Sequence, residues 1–217
     1  MPDASEFVRR LRSVPQNAAS LRAERKRISR EVALLDRDDL LGLAHHLIDA
    51  RIARFVAYEL VLNHKPAIES ITGQEVEKLG QGIAHWGDVD SFACFIAAPA
   101  WRAGRIPDSR VRAWARSEDW AWRRAALVST VPLNSRARGG TGDSKRTLAI
   151  CRMLAADRHD LVVKALSWAL RELAKRDPES ARLFLADQGG NLAARVVREV
   201  NNKLATGRKN STRSPRR

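Results

Sequence analysis

The sequence predicts an all-α protein, on three observations. Apolar residues recur at spacings of three and four in almost every segment, the period of a helix that buries one stripe. No segment shows the apolar–polar alternation of a half-buried strand. Capping residues and prolines fall between the periodic segments, where helix ends require them. The chain has 217 residues, 44% of them hydrophobic, enough to build a sizeable core.

In chain order, residues 1–15 read as a short, weak helix that stops near Pro15. Leu21, Ile28, Val32 and Leu35 mark the next stripe, with Arg22, Arg25, Lys26, Arg27 and Arg30 crowding the remaining surface. Asp36 can cap a helix over 37–49. Ile52, Phe55, Val56 and Leu60 stand at helical spacing within 52–63. Thr72 and Glu75 fit a capping box, which opens a helix to about His85. A helix over 86–98 is expected to end before Pro99, because an interior proline lacks the N–H that the ladder needs. Helices near 107–116 and 119–131 follow, with Ser117 as the expected cap. Residues 134–146 hold three glycines and several cations and read as a flexible loop. Helices near 145–156, 160–176, 178–186 and 191–204 complete the chain. Asp177 and Pro178 mark one of these starts, with Asp as the cap and Pro at the first helical position. The tail after Thr206 carries five cations and no apolar residue, and is expected to be disordered.

The helices come in short pairs, each about 35–45 residues from the next, a spacing that suits HEAT-like repeats stacked into a curved solenoid. Inner helices of such a solenoid line a concave face, which here would be basic. Residues 1–205 are expected to form that single domain and 206–217 the tail. A plain helical bundle is the architecture that spacing alone leaves open.

Charge narrows the class of partner. The formal net charge is +14 and the pI about 11.0, which points to a polyanion, nucleic acid before a membrane surface. The excess is rich in Arg, whose planar fork matches phosphate. No stretch reaches the roughly 18 consecutive apolar residues of a membrane span, and no apolar run at the N terminus resembles a signal peptide. Cys94 and Cys151 sit in no metal or redox motif, so a reducing cytoplasmic setting is expected.

Two stretches carry candidate chemistry. In Leu161–Lys175, Val162, Ala165, Leu166, Ala169 and Leu173 form a buried stripe, while Lys164, Trp168, Arg171 and Lys175 share another face. Three cations with an indole among them can hold phosphates and meet a sugar or base. The alternative is a solvated charged face with one Trp at its edge. In His85–Asp90, Trp86 and Asp90 are four apart and project from one side of a helix. A carboxylate repels phosphate, so in a cationic groove it needs another task. Stabilising the oxocarbenium-like sugar formed when a base leaves deoxyribose is one such task. Capping the helix, or pairing with an Arg of a neighbouring helix, are the alternatives for Asp88 and Asp90. His45 and His46 are adjacent and diverge on a helix, a poor metal pair. Trp101, Trp114 and Trp120 are expected to pack between helices.

The chain resembles the AlkD family of DNA alkylation repair glycosylases. Three segments carry the resemblance. His85-Trp-Gly-Asp-Val-Asp90 resembles the family's Trp-Asp-(Ser/Thr)-Val-Asp. Trp122-Arg-Arg-Ala-Ala-Leu127 resembles its Leu-Gln-Arg-(Ala/Thr)-Ala-Ile. The stretch from Val163 to Pro178 is similar, through a whole helix, to its Gln-Lys-Ala-Ile-Gly-Trp-Val-Leu-Arg-Glu-Tyr-Ala-Lys-Thr-Asn-Pro. The resemblance implies a monofunctional glycosylase that removes cationic N3- or N7-alkylated purines from double-stranded DNA without extruding the base; a DNA-wrapping solenoid works as a monomer, the state expected here. The resemblance also implies that Asp90 is catalytic, that Trp86 and Trp168 contact the deoxyribose backbone at the lesion, and that Arg124 binds phosphate, with Arg123 one register away. Lys164, Arg171 and Lys175 are expected to hold further phosphates. Neither a cofactor nor a metal is implied. The protein is expected in the cytoplasm, on the nucleoid when bound to DNA.

The chain departs from the family pattern at several points. Gly87 stands where the family has an acidic residue, His85 replaces a second aromatic, and Asp88 is an additional carboxylate. The N-terminal region is shorter, so that Arg22 to Arg30 could replace part of the DNA grip. The Gly-rich loop at 135–146 is an insertion that either touches DNA or is merely tolerated. These departures keep a non-catalytic HEAT-like DNA-binding scaffold as the alternative function.

Overall fold

A computed structural model of the chain describes residues 3–210, and every regular element among them is helical. The chain divides after Ile106 into two compact units.

The first unit opens with α1 (Ala4–Ser13), capped by Asp3, whose carboxylate accepts from the Ser5 N–H. It buries Phe7, Val8 and Leu11. Helix α2 (Ala18–Glu31) is capped by Asn17 and buries Leu21 and Ile28. Three of the five cations of α2 reach carboxylates. Arg22 and Arg25 both reach Glu59, at 2.8 and 3.1 Å, and Arg27 reaches Glu24 at 3.0 Å. Arg10 of α1 bridges Glu24 and Glu31, at 2.7 Å each. Glu24 and Glu59 are buried, and a buried carboxylate needs such partners because desolvation alone costs several kcal/mol, about 3–5 when one partner is removed. Of these three α2 cations only Arg25 is buried; Arg22 and Arg27 remain exposed while reaching buried carboxylates.

Helix α3 (Arg37–Asp49) starts at the expected cap, with Asp36 accepting from the Asp39 N–H at 2.7 Å. Helix α4 (Arg54–Asn63) buries Val56, Tyr58 and Leu60. A short α5 (Lys65–Ser70), absent from the sequence reading, follows at once, because His64 Nδ1 caps it at Ala67 N–H. Helix α6 (Gly73–Gly80) has both halves of the Thr72–Glu75 capping box. It ends five residues before His85, at a turn through Gly82 with φ +68°. Helix α7 (Trp86–Phe92) then leads through a π turn (Ala93–Ala97) into α8 (Ala98–Arg102). The chain thus stays helical past Pro99, contrary to expectation. The wider turn, in which the Ala98 N–H bonds to the Ala93 carbonyl, makes room for a ring that would otherwise strike the carbonyl four residues back.

The second unit contains α9 (Asp108–Ala115), α10 (Trp120–Asn134), α11 (Ser144–Met153), α12 (Asp160–Leu173), α13 (Pro178–Gln188) and α14 (Ala194–Thr206). Asp119, not Ser117, caps α10 by accepting from the Ala121 N–H; the Ser117 hydroxyl instead accepts from the Asp119 N–H. Asp177 and Pro178 open α13 as expected. Helix α12 stops at Leu173, three residues short of the expected end, so Lys175 lies in the turn beyond it. Residues 134–146, expected to be a flexible loop, are tied down by hydrogen bonds to Asn134, Ser135 and Leu133. Residues 207–210 follow α14 with Lys209 3.6 Å from Glu199, and residues 211–217 of the expected tail lie outside the described residues.

Within each unit the helices pack in two layers. In the second unit α9, α11 and α13 contact one another in sequence, and α10, α12 and α14 do the same. In the first unit α1, α3 and α5 form one layer, and α2, α4 and α7 the other. Paired helices stacked in this way are the HEAT-like arrangement that the spacing predicts. Trp101 and Trp114 are buried as expected, while Trp120 is half-buried and stacks on His159 with ring centroids 5.2 Å apart. Cys151, on α11, is completely buried, and burial pushes its thiol pKa far up; Cys94 is also buried.

Candidate functional site

Trp86 and Asp90 stand on α7 in the first unit. That helix is fixed from its buried side, where Val89 and Phe92 enter the core. Phe92 meets Tyr58 of α4 edge to face, with centroids 6.0 Å apart. Tyr58 in turn donates its hydroxyl proton to the Leu79 carbonyl at 2.9 Å, and burial pushes its pKa up to about 12. The outer side is different: Trp86 is 52% exposed and Asp90 half-buried. His85 caps the helix through Nδ1, which accepts from the Gly87 N–H at 3.2 Å, and its ring leans on Trp86 with centroids 5.3 Å apart. The cap is therefore a histidine; neither Asp88 nor Asp90 fills that position. Asp88 is two residues from Trp86, about 200° round the helix. Its charge bears on Tyr58, so Asp90 is the carboxylate that shares a side with the indole.

The remaining candidates are in the second unit. Lys164, Trp168 and Arg171 lie on α12 at spacings of four and three, with Trp168 half-buried. Each cation of this row already faces a carboxylate. Lys164 is 2.6 Å from Asp160, and that contact, with help from Arg195, holds the Asp160 carboxyl below its ordinary range. Arg171 donates to the Ser167 hydroxyl at 3.2 Å and lies 3.7 Å from Glu199; burial lowers its pKa. Lys175 is 2.6 Å from Glu172. Asp160 and Glu172 stand at helical spacing from their cations, four and three residues away, whereas one acid comes from another helix. Glu199 of α14 is the chief one: buried, it accepts from the Ser167 hydroxyl at 2.6 Å, beside Trp168, and lies 3.8 Å from Arg195. The only sequence signal for it is its spacing of four from Arg195.

Arg123 and Arg124 differ in what they hold. Arg123 is 2.7 Å from Asp157 and donates to the Ser117 and Glu118 carbonyls, so it ties the start of α10 to the turn before α12. Arg124 is 5% exposed and donates to the Leu161 carbonyl in the first turn of α12. Both cations are therefore engaged inside the unit.

Layered helix pairs and a formal charge of +14 define the class: a strongly basic, all-α helical-repeat protein. The model of one family, described as DNA alkylation repair enzyme, matches residues 14–204, and the chain belongs to that family. A comparison with curated proteins gives no match. The chain is accordingly an enzyme of DNA alkylation repair, and DNA is its partner.

Proposed function

We propose that the chain is a monofunctional DNA glycosylase that excises cationic N3- or N7-alkylated purines from duplex DNA. The observation that carries this reading is the exposed Trp86 with Asp90 one turn further along the same braced helix. An alkylated purine is positively charged, which weakens its glycosidic bond before the enzyme acts. As the bond breaks, positive charge moves to the sugar. Asp90 stabilises that charge and orients a water toward the anomeric carbon, while the indole face of Trp86 offers a favourable contact to the cation. Neither step needs the base to leave the stack, so the reading does not require the extrusion pocket of base-flipping enzymes.

In the second unit Trp168 supplies an aromatic face to the DNA backbone. Lys164, Arg171 and Lys175 hold phosphates, sharing donors with the acids that orient them. Arg124, bonded to Leu161, supports the start of α12 and adds its charge from beneath. The protein acts as a monomer, in the cytoplasm.

The test is base release from methylated duplex DNA. Wild-type protein is expected to release 7-methylguanine or 3-methyladenine. Asp90→Asn is expected to lower the rate by about a hundredfold or more, the cost of losing one preorganised electrostatic contact, with DNA affinity unchanged or higher. Release by Asp90→Asn at the wild-type rate would remove Asp90 from the mechanism. Absence of release by the wild type, with salt-sensitive duplex binding retained, would instead establish the non-catalytic scaffold.

A further inference from the structure

Arg136–Arg138, directly after α10, forms one exposed turn of 3-10 helix closed by Gly139 at φ +74°. The turn is built rather than loose. The Gly140 N–H donates to the Ser135 carbonyl at 2.8 Å and the Gly142 N–H to the Leu133 carbonyl at 3.0 Å. Arg176, beyond the end of α12, donates to the Asn134 and Gly140 carbonyls at 3.0 and 2.7 Å. Asn134 is buried; it donates to the Thr147 hydroxyl and accepts from the Asp143 N–H. The turn is ordered by the fold itself, so a ligand need not supply that ordering free energy.

Between this turn and the end of α12 lies an open cleft of about 380 Å³, whose charged lining is Arg136, Lys175, Arg176 and one carboxylate, Glu172. Glu172 is buried and held by Lys175, so the charge offered to solvent is positive. Lys175 is exposed and has three N–H donors, enough to keep Glu172 and donate to a second oxygen. Arg136 is exposed on the opposite wall.

We infer that this cleft is a subsite for a flanking DNA phosphodiester, taken by Arg136 from one wall and Lys175 from the other. The inference rests on the DNA-repair reading of the chain and gives the inserted loop a task. Lys175 lies in the turn just beyond the end of α12, past Trp168 and Arg171. The helical rise from Trp168 to Leu173 alone, about 8 Å, exceeds one nucleotide step of a strand along the duplex axis. The phosphate held here therefore belongs to a neighbour of the damaged nucleotide.

The experiment is the salt dependence of duplex binding by the full chain and by Arg136→Ala and Arg136→Lys, alongside base release by the wild type. Arg136→Ala leaves the backbone bonds of the turn in place. It is expected to reduce the magnitude of the slope of log K against log salt by about 0.9, with affinity roughly tenfold lower at 0.05 M salt. Arg136→Lys is expected to restore the wild-type slope. A wild-type slope for Arg136→Ala, or a slope for Arg136→Lys as low as for the alanine variant, overturns the inference. Absence of base release by the wild type would strike the glycosylase proposal alone, since the slopes still decide whether Arg136 meets a phosphate.

Discussion

Asp177 shows how much one side chain can fasten at a helix start. Its carboxylate accepts from the Ser144 hydroxyl at 2.5 Å and from the Ser180 N–H at 2.9 Å, joining the first residue of α11 to the first turn of α13. These bonds, Ser144 first, hold its pKa below the ordinary carboxylate value. A carboxylate whose folded pKa is depressed contributes stability above its unfolded pKa, and loses that contribution as pH falls through the folded value. Asp177→Ala is therefore expected to cost about 1 kcal/mol near neutral pH, the typical worth of a helix cap. Its melting difference from the wild type should shrink below about pH 4, the ordinary range of an aspartate. Thermal melts across pH 7 to 3 check this, and an undiminished difference at low pH would detach the effect from the charge. Arg123 and Arg124 make a related point. Adjacent in sequence, they reach different elements: Asp157 for one, the Leu161 carbonyl for the other. Their letters announce cations; only the packing of α10 on α12 determines what each cation holds.

At the scale of elements, α10 and the turn after it fit through one close approach. Gly140 is buried, and a Cβ there would collide with the carbonyls of Pro132 and Leu133. Gly140→Ala is expected to lower stability by about 2 kcal/mol, because the turn must lift away from α10. A thermal melt reads the loss, and a wild-type melting temperature would mean that the turn is not seated as described. Helix starts were the most legible elements in the sequence, since a cap is a local event: Asp36, Thr72 with Glu75, and Asp177 with Pro178 all act where their letters place them. Pro99 was misleading because a π turn upstream, invisible to periodicity, absorbs its ring. Ser117 was displaced by Asp119, two residues closer to the helix. Residues 134–146 looked loose because glycine and cations are read as solvent-facing. Their order comes from Arg176, which lies 42 residues from Asn134 in the chain.

For the whole molecule, two layers of paired helices in each unit follow from a stripe on nearly every segment, and that much was legible from spacing. The candidate site was legible only in part. Trp86 and Asp90 share a helix by arithmetic, and so do Lys164, Trp168 and Arg171. Of the acids behind the second row, Asp160 and Glu172 stand at readable spacing, but Glu199 does not, because it comes from another helix. Membership of a DNA alkylation repair family also places demands on the protein as a chemical object. Whatever methylates DNA also seeks sulfur, and the thiolate is the most reactive form that a protein offers. Cys151 has no exposed surface, and burial keeps its proton in place. Folded protein treated with a methylating agent is expected to keep Cys151 unmodified while the denatured chain takes the methyl group, as peptide mass spectrometry would record. Rapid S-methylation in the folded state would contradict that. An enzyme sent to mend a genome under chemical attack thus carries this sulfur where the same reagent cannot disarm it.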